Sequence, residues 1–175
     1  LTTITIPDGV TTIEDSVFYS CTNLATITIP DGVTSIGNSA FSGCSDLTSI
    51  TIPDSVTSIG SSAFQSCSSL TTITIPDGVT TIEDSVFSNC TSLSSITIPD
   101  SVTTIENNVF YGCTSLTTIT IPDGVTSIGY SAFNNTGLSF SEDNNSIKYL
   151  VSALGNVALL IDGSSASGNV VLPNA

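Results

Sequence analysis

Three residue types recur at spacings that could do chemistry. The first is cysteine, at Cys21, Cys44, Cys67, Cys90 and Cys113, each 23 residues from the next. Zinc needs close pairs such as C-x2-C, usually with histidine, and the chain has no histidine. Disulfides between neighbours are permitted by distance. Stacked strands lie ~4.8 Å apart, and a disulfide spans Cα atoms about 4.4–6.8 Å apart. Inward Cβ vectors run parallel along a column, however, rather than towards each other. Buried free thiols, packed as small hydrophobes, are therefore expected. Thr136 stands where a sixth cysteine would fall, which fits a packing role.

The second type is aspartate, at Asp8, Asp31, Asp54, Asp77, Asp100 and Asp123. Like charges ~5 Å apart repel by roughly 0.8 kcal/mol in water and by more at lower dielectric. The column is therefore expected at solvated turns. Calcium takes about six to eight oxygens, and one carboxylate per repeat supplies too few. No metal site and no cofactor are expected. The third type is threonine. Thr5, Thr28, Thr51, Thr74, Thr97 and Thr120 form one column. Thr3, Thr26, Thr72 and Thr118 form another, with Ser49 and Ser95 filling its gaps. Nothing here makes a catalytic set. Without histidine, proton transfer would fall on carboxylates, tyrosine or the lone Lys148, and no base stands beside the many hydroxyls. The chain is read as non-enzymatic.

The elements that position these residues come from the period itself. Leu1, Leu24, Leu47, Leu70, Leu93 and Leu116 each open a near-copy of L-T-x-I-T-I-P-D-x-V-T-x-I-x-x-x-x-F-x-x-C-x-x. A fixed period of this length marks a stacked solenoid, because one coil cannot bury its apolar face alone. Ile-Thr-Ile alternation reads as a strand with isoleucine inward and threonine outward. Pro7 and its equivalents end the strand, and Pro-Asp-Gly or Pro-Asp-Ser is a turn signal. Val10 and Ile13 point inward three apart, as a short extended segment or a helical turn. Phe18 and Cys21, also three apart, fit a short helical or 3-10 stretch on the far side. Phe18, Phe41, Phe64, Phe87, Phe110 and Phe133 form an inward ladder, each burial contributing ~1.5–3 kcal/mol. Coils come in two kinds. Glu14, Glu83 and Glu106 pair with Val17, Val86 and Val109; Gly37, Gly60 and Gly129 pair with Ala40, Ala63 and Ala132. Glutamate and glycine share one place, so positive φ is not required there. Glu83 and Glu106 make a modest acidic patch, expected to be exposed.

Formal net charge is -14, from 15 acidic residues and one basic residue. Nucleic acid is excluded as a partner, since phosphate binding needs clustered Lys and Arg. Anionic membrane surfaces are disfavoured likewise. No run approaches the ~20 apolar residues of a membrane span, so no direct membrane insertion of this segment is expected. The array spans 1–137. From Ser139 the rhythm fails, and 138–169 reads as an irregular unit. Its hairpin joins Ile147–Val151 to Val157–Ile161 around Leu154-Gly155-Asn156. A capping role competes with this. Val170-Val171-Leu172-Pro173 echoes Ile-Thr-Ile-Pro, so 170–175 reads as the start of a further repeat of something longer. Asn89, Asn134 and Asn144 open glycosylation sequons that matter only in a eukaryotic secretory pathway.

The 23-residue motif across 1–137 resembles the BspA-like leucine-rich repeats of the Treponema pallidum type. The resemblance implies a leucine-rich repeat solenoid, with a parallel β-sheet on one face and short extended or 3-10 segments on the other. It also implies a secreted or cell-surface adhesion or ligand-binding role, and it brings no catalytic residues. The asparagine ladder of common leucine-rich repeats is missing, and the cysteine of each coil takes a comparable niche. The expected ligand-binding residues are Thr3, Thr5, Thr26, Thr28, Thr51, Thr72, Thr74, Thr97, Thr118 and Thr120, with Tyr19, Gln65, Tyr111 and Tyr130 adding local specificity. The expected partner is a host or neighbouring-cell surface protein, matrix or glycan. Two ranks of T-x-T also resemble the surfaces of some ice-binding β-solenoids, and a structural spacer is the third reading.

Overall fold

The computed structural model describes residues 2–138. Beyond them it describes the backbone of the strands Ser141–Glu142, Lys148–Val151, Val157–Leu160 and Val170–Val171. Within the array each coil has three sides.

The Ile-Thr-Ile segments form the first side. Thr3–Thr5 pairs in parallel with Thr26–Thr28, and Thr72–Thr74 with Ser95–Thr97. Isolated bridges Thr28↔Thr51 and Ser49↔Thr72 continue the column. Register is one repeat throughout, so threonine stacks on threonine or serine.

The second side follows the Pro-Asp turn, whose closing bond runs from the Val10 N–H to the Pro7 carbonyl at 3.0 Å. Here the open choice for Val10–Ile13 resolves as extended. Thr12–Ile13, Ser35–Ile36 and Ser58–Ile59 make one parallel sheet. Thr81–Ile82, Thr104–Ile105 and Ser127–Ile128 belong to another. Parallel pairing therefore runs along two sides of the coil. Isoleucine turns inward at each of these strands and its polar neighbour outward, the alternation a β-branched residue favours.

The third side, an arc over residues 16–21 and their equivalents, is not helical. Among the described residues no 3-10 helix forms. Alternate N–H groups are used differently. Those of Val17, Tyr19 and Cys21 close turns inside the coil, on the carbonyls of Glu14, Ser16 and Phe18. Those of Ser16, Phe18 and Ser20 reach the next coil, at Asn38, Ala40 and Ser42, over 2.9, 2.9 and 2.7 Å. A 3-10 helix would turn all of them inward. The alternation needs two left-handed residues per coil. One column holds Ser16, Ser39, Ser62, Ser85, Asn108 and Ser131. The other holds Ser20, Gly43, Ser66, Asn89, Gly112 and Asn135, all with φ between 53° and 78°. Only Ser, Asn and Gly occupy these places, the small residues that accept this conformation at least cost.

The core lies between the three sides. Phe41, Phe64, Phe87 and Phe110 are fully buried, with Leu47, Leu70, Leu93 and Leu116. The phenylalanine rings stack in one column with centroids 5.2 to 5.8 Å apart. In the first coil Val10, Phe18 and Cys21 are only half-buried.

After the array, Lys148–Val151 pairs antiparallel with Val157–Leu160 and with Ser141–Glu142. Val170–Val171 runs antiparallel to Ser127–Ile128. The expected turn Leu154-Gly155-Asn156 and the residues 172–175 lie outside the described residues.

Candidate functional site

All ten threonines expected to bind ligand are exposed: Thr3, Thr5, Thr26, Thr28, Thr51, Thr72, Thr74, Thr97, Thr118 and Thr120. The isoleucine between each pair turns inward, so the two hydroxyl columns are separated by one pleat. The inner column carries Ser49 and Ser95 in the same register. Thr3 and Thr26 hydroxyls approach to 3.2 Å. Thr118 and Thr120 continue the columns but belong to no strand. The face offers hydroxyls and methyls with no charge among them, so it suits contact through many weak polar bonds rather than one strong pairing.

Tyr19, Gln65 and Tyr111 do not join this face. They share one column of the arc, and Tyr130 sits at the corner before the arc. Tyr19, Tyr111 and Tyr130 are 59%, 36% and 47% exposed. The turns that carry them belong to a different side of the coil from the threonine ranks, so any local specificity they add acts away from that face.

The cysteines are free, and four of the five are buried. Each of the four buried thiols also has a bond that spacing alone did not indicate. Cys44, Cys67, Cys90 and Cys113 Sγ donate to the carbonyls of Phe18, Phe41, Phe64 and Phe87, at 3.1 to 3.2 Å. Each phenylalanine carbonyl also accepts the N–H of its own coil's cysteine. Thr136 Oγ1 bonds the Phe133 carbonyl of its own coil at 2.8 Å. Burial pushes the Cys44 thiol up to about 11 and Cys113 to about 12, and raises the Cys67 and Cys90 thiols as well. These groups stay protonated and are poor nucleophiles or metal ligands.

The Pro-Asp aspartates are all exposed. Among the described residues no group of three or more His, Cys, Asp or Glu is placed to hold a metal ion.

A second polar ladder was missed in the sequence. Asp15 Oδ1 accepts the Asn38 N–H at 2.6 Å, and Asn38 Oδ1 accepts the Ser61 N–H at 3.0 Å. Asp84 and Asn107 repeat the pattern towards Asn107 and Tyr130, at 3.1 and 2.8 Å. The signal was the Asp or Asn that follows the Glu or Gly position in four coils. Beside this ladder runs a groove of roughly 370 Å³, floored by Gly37 and Gly60 and bounded by Glu14 and Glu83. Neither glycine has positive φ. They are there for closeness: a Cβ on Gly60 would meet the Asn38 nitrogen at 2.6 Å. Partial burial, then Glu106 and Asp84 beside it, raise the Glu83 carboxyl above its usual value.

The family model for BspA type leucine rich repeat regions matches residues 1–113 and 34–154, in six copies. The chain belongs to the BspA-type leucine-rich repeat family. Solved structures agree. A leucine rich cell surface protein of Faecalibacterium prausnitzii is 44% identical with a TM-score of 0.72, over 91% of this chain and 45% of that one. A leucine-rich repeat protein of Bacteroides ovatus is 37% identical with a TM-score of 0.75, over 77% and 35%. The T. pallidum leucine rich repeat protein is 31% identical with a TM-score of 0.74, over 77% and 65%. This BspA-type chain thus spans about a third to two thirds of the length of these relatives. No curated protein matches it.

Proposed function

We propose that this BspA-type array is a cell-surface or secreted adhesion segment. It holds a host or neighbouring-cell surface protein, matrix component or glycan against its T-x-T face. The observation that carries the reading is the uniformity of that face: two columns of exposed hydroxyls in one-repeat register, uncharged and unused by the core. A regular surface gains avidity for a regular target, because each further contact is made at high effective concentration. The F. prausnitzii relative, described as a cell surface protein, supports the location.

The test replaces Thr28, Thr51, Thr74 and Thr97 together by alanine. Binding to immobilised matrix proteins and a glycan panel is then compared with wild type by surface plasmon resonance. A loss of ten-fold or more in affinity is expected. Unchanged binding by the variant refutes the T-x-T face as the site. The unbroken column from Thr5 to Thr120 favours ice binding as a second reading. That reading requires thermal hysteresis from the purified protein, and its absence ends it.

A further inference from the structure

We infer that the array is jointed between its third and fourth coils. Four interactions that recur elsewhere stop there together, all on the second side. Ser58–Ile59 does not pair with Thr81–Ile82, although the equivalent strands pair at each of the other four junctions. The backbone bond made by Gly37 to Ile13, Gly60 to Ile36, Glu106 to Ile82 and Gly129 to Ile105 has no counterpart from Glu83 to Ile59. Thr34, Thr57, Thr103 and Thr126 each donate their N–H and their hydroxyl to the threonine carbonyl one coil back, whereas Thr80 makes neither bond to Thr57. The Asp/Asn ladder also ends at Ser61, whose side chain is too short to reach the Asp84 backbone as Asn38 reaches Ser61.

The other two sides stay closed. On the arc, Ser62, Phe64 and Ser66 donate to Asp84, Val86 and Ser88 over 2.8 to 3.0 Å. The Cys90 thiol reaches the Phe64 carbonyl at 3.1 Å. On the T-x-T side the Ser49↔Thr72 bridge and the Thr71 to Thr48 bond persist. Phe64 and Phe87 remain stacked, at 5.8 Å the widest of the five ring spacings. A connection intact on two sides and open on the third is a hinge, with the core column as its pin. This is also the single junction where a glutamate coil follows a glycine coil, Glu83 after Gly60. Opening there changes the angle between coils one to three and coils four to six. The angle between the two halves of the threonine face changes with it.

Residue-resolved hydrogen exchange tests the joint. The amides of Thr80 and Glu83 are expected to exchange at least ten-fold faster than those of Thr34, Gly37, Thr103 and Glu106. The arc amides of Ser62, Phe64 and Ser66 are expected to match those of Ser39, Phe41 and Gly43. In Ser61→Asn, which restores the acceptor, exchange at Thr80 and Glu83 is expected to slow several-fold while the thermal midpoint does not fall. Equal protection across the five junctions overturns the joint. Fast exchange that is unchanged in a folded Ser61→Asn variant overturns its assignment to the interrupted ladder. Should that variant unfold, Ser61→Asp, which supplies the carboxylate acceptor that Asp15 and Asp84 supply elsewhere, carries the same expectation and the same reversal.

Discussion

The arc and the T-x-T side are built from the same six near-copies, yet they are held very differently. On the arc, three backbone bonds cross each junction, phenylalanines stack behind them, and thiols add a second bond to the phenylalanine carbonyls. On the T-x-T side, strand pairing is complete at only two of five junctions, with single bridges at two more. Repetition of sequence therefore does not distribute stability evenly. Stability gathers where alternate amides are turned outward, while the outward threonines are left free to meet something else.

Substitutions on each side sharpen this contrast. Phe64→Ala should destabilise by ~3–5 kcal/mol, against ~0.5–1.5 kcal/mol for Ile73→Val behind the T-x-T face, both read from denaturant unfolding. Equal losses would contradict the ranking. Ser66 sits at φ 59°, and Ser66→Val should cost ~1–2 kcal/mol whereas Ser66→Gly should not destabilise. Cys67→Ala removes a thiol bond to the Phe41 carbonyl and should cost ~1 kcal/mol. Alkylation followed by mass spectrometry should label half-exposed Cys21 before the four buried thiols. Thr74→Val on the face should stay within about 0.5 kcal/mol of wild type. The smallest effect is electrostatic. The Glu83 carboxyl is raised in the folded state, so its penalty is present above the folded pKa and is relieved as pH falls through it. Glu83→Gln should therefore stabilise slightly at pH 7, and the gain should vanish once pH drops below the ordinary glutamate range.

Much of this was legible in the sequence. The inward columns of Ile, Phe, Leu and Cys follow from spacing alone, and so does the exposure of Thr3, Thr5 and their equivalents. The arc was not legible as an arc, because Phe18 and Cys21 three apart fit a helical turn equally well. What decides against the helix is the left-handed pair at Ser16 and Ser20. Their columns of Ser, Asn and Gly pass for surface composition until each conformation is known. The Asp/Asn ladder was hidden for a similar reason: Asp15 and Asn38 act on backbone groups of the next coil, and no pattern within one coil displays that. Tyr19 and Tyr111 were singled out by their variability, which carries no information about the side of the coil they occupy.

The direction of the arc bonds has a consequence for how such a protein changes length. Every crossing N–H on the arc points from one coil to the one after it. On the arc the leading edge of each coil thus presents donors and its trailing edge acceptors, while the second side runs the other way, with Thr34 donating back to Thr11. Deleting or duplicating any stretch of 23 residues brings a donor surface back onto an acceptor surface of the same geometry. Any other length misaligns both. The gene can grow or shrink by recombination among its own copies without inventing a new interface, and the reach of the protein is quantised in whole coils.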